Sequence, residues 1–239
     1  MVTLTVPSVV TCPSLTVQLS GGVVTYTPTV GYNGADSFTY TVSDGHVTSL
    51  GTVNVTISAV ASVYTLGTAG NDTYDYSART APQLVSAQGG NDTVTGGAGA
   101  DSLNGGANND TLIGGGGADS LTGGTGSDIL TGGTGADSFI FGDITEFGPA
   151  GQEDVITDFN RIEGDKIRLT SVDANTGVSG DQAFSWLGTG AFTHVAGQLH
   201  YATVGADLMV SGDVNGDGVS DFQFKVLGLS SLQASDFFL

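Results

Sequence analysis

Cys12 is the only cysteine in the chain, so no internal disulfide can staple it and its stability must come from another source. Positive charge is nearly as scarce. Five basic residues, Arg79, Arg161, Lys166, Arg168 and Lys225, face 24 acids, for a formal net charge of −19. Such a surface repels nucleic acid and anionic membranes and attracts multivalent cations. No run of 18 apolar residues is present to span a membrane. Residues 1–20 have neither a basic n-region nor a continuous apolar h-region, so no ordinary signal peptide is expected and an extracellular destination needs another export route. Catalytic signatures are missing too. None of His46, His194 and His200 belongs to an HExxH, and there is no GxSxG elbow and no GxxxxGK[ST] loop. His194 and His200 flank a glycine turn in a β-type segment and read as strand or surface residues. These absences lead us to expect no enzyme in this chain.

Glycine is what the sequence has in quantity, 39 of 239 residues, and it is organised. Residues 87–140 repeat one nine-residue unit six times: AQGGNDTVT, GGAGADSLN, GGANNDTLI, GGGGADSLT, GGTGSDILT and GGTGADSFI. Aspartate recurs at Asp92, Asp101, Asp110, Asp119, Asp128 and Asp137, with an apolar residue two places later at Val94, Leu103, Leu112, Leu121, Leu130 and Phe139. No other charged side chain occurs in the stretch. Glycine groups such as Gly96, Gly97 and Gly99 permit backbone angles with φ > 0, so six residues can form a tight loop with inward carbonyls. The three residues that follow suit a short strand with one buried face. Two units make one coil of a solenoid, which stacks Asp92, Asp110 and Asp128 in one column and Asp101, Asp119 and Asp137 in the other.

Adjacent strands lie ~4.8 Å apart. Bare carboxylates at about 5 Å repel by roughly 3 kcal/mol at an effective dielectric near 20, an upper bound if they splay. A hard cation between stacked loops reverses the sign, and the oxygen-only donors suit calcium, which takes about six to eight of them. At these residues the chain resembles the RTX family of calcium-binding GGxGxDxUx nonapeptides. The resemblance implies a parallel β-roll whose calcium ions lie between a loop and the loop 18 residues on. Each would be held by carbonyls of the first four loop positions and by both aspartates. Carried onto this sequence, the ligands are Gly90 with Asp92; Gly96, Gly97 and Gly99 with Asp101; and Gly105 and Gly106 with Asp110. The later repeats contribute Gly114, Gly115 and Gly117 with Asp119; Gly123, Gly124 and Gly126 with Asp128; and Gly132, Gly133 and Gly135 with Asp137. The chain departs from the pattern at Ala87 and Gln88, which replace the first glycine pair, and at Asn108, although Asn tolerates left-handed angles better than most residues.

The flanks divide the chain into segments 1–60, 61–145 and 146–239. In the first, strand-like runs at 23–28, 36–44 and 47–58 are separated by turn signals at Gly21-Gly22, Asn33-Gly34 and Asp44-Gly45. The run VTYTPTVGYNGADSFTYTVSDG resembles the cadherin-like, immunoglobulin-type repeats of large bacterial surface proteins. It covers about 60 residues where a full sandwich needs ~100, so its first strands are expected to be missing and the chain to be the tail of something longer. A small β-cap for the roll is the other reading of this segment. Residues 63–86 contain LGTAGNDTYDY at 66–76, a degenerate repeat with Asp72 in the aspartate position, 20 residues before Asp92, and read as a loop-poor first coil. Asp72 is either a calcium ligand or a turn aspartate.

After Phe139, Asp143 and Glu146 are candidates to close the last open site. DVITDFNRIEGDKIRL at 154–169, residues 196–228 and LQASDFFL at 232–239 resemble the domain that follows the roll in serralysin-type metalloproteases. That resemblance implies ligand roles for Asp154 and Asp158, which are otherwise strand-edge acids. Asp213, Asn215, Asp217 and Asp221 match positions 1, 3, 5 and 9 of an EF-hand-like loop, but Phe224 stands where the bidentate Glu belongs. Calcium binding and an Asn-Gly/Asp-Gly hairpin turn are both open there. Asp236-Phe237-Phe238-Leu239 resembles an uncleaved type I secretion signal and also suits a last core strand.

The expected molecule is therefore all-β and monomeric: a parallel β-roll with a C-terminal β-sandwich-like cap and a small N-terminal Ig/cadherin-like segment. It would bind several Ca2+ ions and fold outside a Gram-negative cell after passing a type I secretion apparatus. Two contexts fit: the C-terminal part of an adhesin with a cell-surface or matrix partner, or the export and folding tail of an extracellular enzyme whose catalytic domain lies elsewhere.

Overall fold

The computed structural model describes residues 3–5, 15–20, 23–28, 34–43, 45–57, 63–148 and 151–239. Cys12 and the turn residues Gly21, Gly22, Asn33 and Asp44 lie outside them. The chain forms two compact units, Met1–Ala61 and Ser62–Leu239. Among the described residues no helix is long and apolar enough to cross a membrane.

The first unit contains β1 (Thr3–Thr5), β2 (Leu15–Ser20), β3 (Val23–Pro28), β4 (Gly34–Ser43) and β5 (Thr48–Ile57). β2 and β3 pair antiparallel, while β4 lies between β1 and β5. The β4–β5 hairpin pairs without a slip from Gly34 with Ile57 to Ser43 with Thr48. Gly45, at φ 93°, makes the tight reversal that a residue with a Cβ would resist.

The second unit is the roll. Its strands are β6 (Val63–Leu66), β7 (Thr73–Asp75), β8 (Gln83–Ser86), β9 (Thr93–Thr95), β10 (Ser102–Ala107), β11 (Thr111–Gly116), β12 (Ser120–Thr125), β13 (Ile129–Thr134) and β14 (Ser138–Ile140). The chain then continues through β15 (Asp154–Ile156), β16 (Lys166–Arg168), β17 (Ser185–Trp186), β18 (Gln198–Val204), β19 (Asp207–Asp213), β20 (Phe222–Val226) and β21 (Phe237–Phe238). Even strands from β6 to β16, then β21, form a seven-stranded sheet; odd strands from β7 to β15, then β20, β19, β18 and β17, form a nine-stranded one.

Parallel registers give the coil length directly. Leu103 pairs with Leu121 and Leu112 with Leu130, each 18 residues apart. Tyr74 pairs with Val94 across the longer first coil of 20. The apolar residue of every repeat points between the sheets, and Val94, Leu103, Leu112, Leu121, Leu130 and Phe139 are all at most 1% exposed. Each such side chain stabilises the fold by about 1.5–3 kcal/mol. At the C-terminal end Phe141, Phe147, Phe222 and Phe224 stack over this row and close the core.

The boundary expected at residue 145 does not separate two bodies. β15 pairs with β13 and β16 with β14, so residues 146–239 extend both sheets of the roll instead of forming a sandwich of their own. Their apolar positions Ile156 and Ile167 continue the rows of Leu130 and Phe139, which leaves no second core to build.

Candidate metal centres along the two edges

Each aspartate of the repeat sits at the turn just before a strand, and the stacking of coils fixes its first oxygen. The backbone N–H of Asp92 donates to Oδ1 of Asp110 at 2.7 Å, and that of Asp110 to Oδ1 of Asp128 at 2.8 Å. Asp72 heads this edge by donating to Oδ1 of Asp92, and Asp154 ends it by accepting from Asp128. On the other edge Asp101 donates to Asp119 and Asp119 to Asp137. The two expected columns are present, and the first runs on to Asp72 and Asp154.

The second oxygen shows what the arrangement lacks. Oδ2 of Asp92, Asp110, Asp119, Asp128 and Asp137 is buried and has no hydrogen-bond partner. An orphaned buried carboxylate oxygen is costly, and five in register along two edges call for a cation. Burial raises the carboxyl pKa to about 6 at Asp110 and Asp137, about 7 at Asp119 and Asp128, and about 8 at Asp154. Neighbouring carboxylates push in the same direction, and Glu146 contributes at both Asp128 and Asp154.

Glycine clears the space in front of these oxygens. A Cβ on Gly105 would overlap Oδ2 of Asp110 and approach the carbonyl of Gly123; one on Gly114 would overlap Oδ2 of Asp119 and approach the carbonyl of Gly132. Carboxylate and backbone oxygens thus converge where a side chain is absent. Among the described residues no three His, Cys, Asp or Glu side chains gather closely enough to hold a metal by themselves, so carbonyls must supply much of any shell. That donor set fits calcium, which accepts irregular all-oxygen shells.

Several expectations need correction. Gly96, Gly97 and Gly99 do not adopt positive φ; that conformation belongs to Gly90, Gly106, Gly115, Gly117, Gly124, Gly126, Gly133 and Gly135, with Asn108 at 76° and Gln88 at 78° filling glycine-type positions. The first glycine of each loop is needed for space, not for its angle. Loop 96–99 packs on the irregular stretch 76–82, where a Cβ on Gly97 would strike the Arg79 carbonyl. Oδ2 of Asp101 accepts from Gly97 N–H and is therefore not orphaned. Its partner position in the preceding coil is Gln83, whose N–H donates to Oδ1 of Asp101, so one carboxylate is missing from that end of the column.

Asp154 and Asp158 fall on opposite edges. Asp154 is 1% exposed, which removes the exposed-acid reading for it. Asp158 accepts N–H groups of Gly132 and Gly133 and so caps the last loop of the second edge. That edge is completed by Asp165, which accepts from Asp137 N–H, while Glu163 accepts from Gly135 N–H. Sequence reasoning missed both because the coil lengthens: Asp165 follows Asp137 by 28 residues, and only the acid pattern of DFNRIEGD marks it. Asp143 caps the short 3-10 turn Ile144–Glu146, and Glu146 accepts from Gly142 N–H.

The 213–221 loop is the turn of the β19–β20 hairpin. Asp213 accepts from Gly216 and Gly218, Asp221 from Val214 and Asn215, and Asp217 from Val219. Asn215 Oδ1 accepts from Asp217 N–H. Loop amides therefore donate to the oxygens that an EF-hand-like site would direct at an ion, within the turn of the hairpin. His194, at φ 61°, adds a contact from Nδ1 to the Asp217 carbonyl.

Residues 2–58 match the bacterial Ig domain family, and residues 33–239, most of the chain, match the family described as peptidase M10 serralysin C terminal. Among solved structures, the chain is similar to the AlgE6R3 subunit of the mannuronan C5-epimerase of Azotobacter vinelandii. The identity is 22%, over 72% of this chain and 80% of that one, with a TM-score of 0.45. The AlgE6R2 subunit of the same enzyme is 20% identical over 74% and 92%, with a TM-score of 0.42. No curated protein matches the chain.

Proposed function

Because the chain belongs to the peptidase M10 serralysin C-terminal family, we propose that its roll is a non-catalytic module that binds several calcium ions and acquires its fold outside the cell on doing so. The observation that carries this reading is the row of buried, unpartnered Oδ2 atoms on Asp92, Asp110, Asp119, Asp128 and Asp137. Calcium would supply the positive charge the repeats themselves lack. The aspartates and loop carbonyls would hold the ion, and the chain would fold as it binds, since binding confined to the folded state stabilises by mass action. The lack of basic residues in the repeats, together with the C-terminal Asp236-Phe237-Phe238-Leu239, supports export as an unfolded chain by a type I apparatus.

The experiment is a calcium titration of the decalcified chain followed by circular dichroism. Millimolar calcium is expected to restore a β spectrum that excess chelator abolishes, and an unchanged spectrum in excess chelator rejects the reading. The Ig-type match over 2–58 favours a surface protein or adhesin as the setting. A second setting, the export and folding tail of an extracellular enzyme, is favoured by the peptidase family of the 33–239 match. The native reading frame separates them: tandem Ig-type repeats upstream mark the adhesin, and one catalytic domain marks the enzyme.

A further inference from the structure

Three of the five basic side chains in the chain grip its last six residues. Arg161 places Nε 2.6 Å from Oδ1 and a terminal nitrogen 2.5 Å from Oδ2 of Asp236, a two-pronged pair on a carboxylate that is fully buried. The same guanidinium reaches the Ser231 carbonyl. Lys166 Nζ donates to the Ser235 carbonyl at 2.7 Å, and the Arg168 guanidinium lies 4.3 Å from the centre of the Phe238 ring. β21 is thereby held parallel to β16 at the edge of the seven-stranded sheet, with Leu169 N–H donating to the Phe238 carbonyl and Phe237 packed on Trp186.

Arg161 stands within the acidic segment that closes the second aspartate edge. Asp158 and Glu163, three residues before and two after it, accept N–H groups of the 132–135 loop, and Asp165 accepts from Asp137. Asp137 keeps its orphaned Oδ2 beside them. The segment that carries the grip is thus the one that four carboxylates load with uncompensated charge when no cation is bound. Those acids then repel one another and push apart the segment from which Arg161 reaches Asp236, whereas a bound cation neutralises them and holds that segment in place.

From this juxtaposition we infer that residues 231–239 are a calcium-gated latch: open and accessible while the second edge is bare, and locked onto β16 through Arg161 once it is filled. This rests on the calcium reading above. It gives the C-terminal segment two successive states, one in which an exporter can engage it and one in which it is buried as the last strand.

The test is digestion of the full chain by a serine carboxypeptidase, which chelators leave active, with the C-terminus followed by mass spectrometry. In millimolar calcium the loss of Leu239, Phe238 and Phe237 is expected to slow at least about tenfold relative to chelator, the protection expected of a segment locked in a cooperative unit. Arg161→Gln is expected to keep the calcium-induced circular dichroism spectrum and to lose this protection. If calcium changes neither spectrum nor digestion, the calcium reading itself fails. A calcium-induced spectrum with unchanged digestion overturns the latch alone, and wild-type protection in Arg161→Gln overturns the role of Arg161. Should Arg161→Gln not gain the calcium spectrum, Arg161→Lys, which keeps the charge without the two-pronged grip, replaces it. Intermediate protection is then expected, and full protection overturns the latch.

Discussion

The aspartates of the two edges are held in a protonation balance that metal should invert. The buried carboxyls of Asp110, Asp119, Asp128, Asp137 and Asp154 sit at about 6 to 8, against about 3.9 in an unfolded chain, so between those values the metal-free fold binds more protons than the unfolded one. Its stability is therefore greatest near pH 4 and falls as the pH climbs through 6 to 8. Calcium requires the ionised form, so the holo-protein should lose affinity in the opposite direction, on acidification through the same window. The β signal in calcium-free buffer at pH 5 and pH 8, with calcium titrations at both, checks both signs. Position 83 gives a second outcome. Gln83→Asp should add one bound ion in calcium titrations, because it supplies the carboxylate missing opposite Asp101. Asp110→Asn should remove two ions, since Asp110 is shared between Asp92 and Asp128. The six repeat aspartates were legible from spacing alone, because a period of 18 forces them into columns. Asp165 and Gln83 were not, since one lies beyond a lengthened coil and the other is the wrong residue type in the right place.

At the scale of single elements, the strands followed from the apolar residue of each nonapeptide, and the 20-residue first coil from Asp72. The division of labour among the glycines did not, because sequence cannot distinguish a glycine needed for its angle from one needed for the room beside it. Gly114→Ala forces a Cβ into Asp119 Oδ2 and toward the Gly132 carbonyl, and should cost about 1–3 kcal/mol of holo-stability together with calcium affinity at that edge. Gly70→Ala, whose nearest neighbour would be Thr68 Oγ1 at 3.9 Å, should stay within about 0.5 kcal/mol. Equilibrium unfolding in saturating calcium compares the two. The β19–β20 turn teaches a related lesson. Its Asp-x-Asn-x-Asp pattern serves a metal loop or a hairpin turn equally well, and the amide bonds to Asp213 and Asp221, which leave lone pairs on both carboxylates, are compatible with either.

Across the whole second unit, shared sheets make the roll and its C-terminal strands one cooperative body. Trp186, the sole tryptophan, packs against Tyr201 and Phe237 far along the chain from the repeats. Its fluorescence should nonetheless change at the same calcium concentration as the far-ultraviolet dichroism; two separated midpoints would mean that residues 146–239 fold on their own. The three-segment division failed here for a physical reason: a solenoid leaves an open end, and the chain that follows finds its burial there before it can build a separate core. The ladder of Asp N–H groups also has a direction. Every rung takes its acceptor from the coil that comes later in the sequence, up to Asp154 on one edge and Asp165 on the other. The roll is laid like shingles from the eave upward, each row resting on one that the ribosome makes afterwards. A chain emerging amino end first presents its loops before the rows that support them, so growth during synthesis offers no order in which to assemble it.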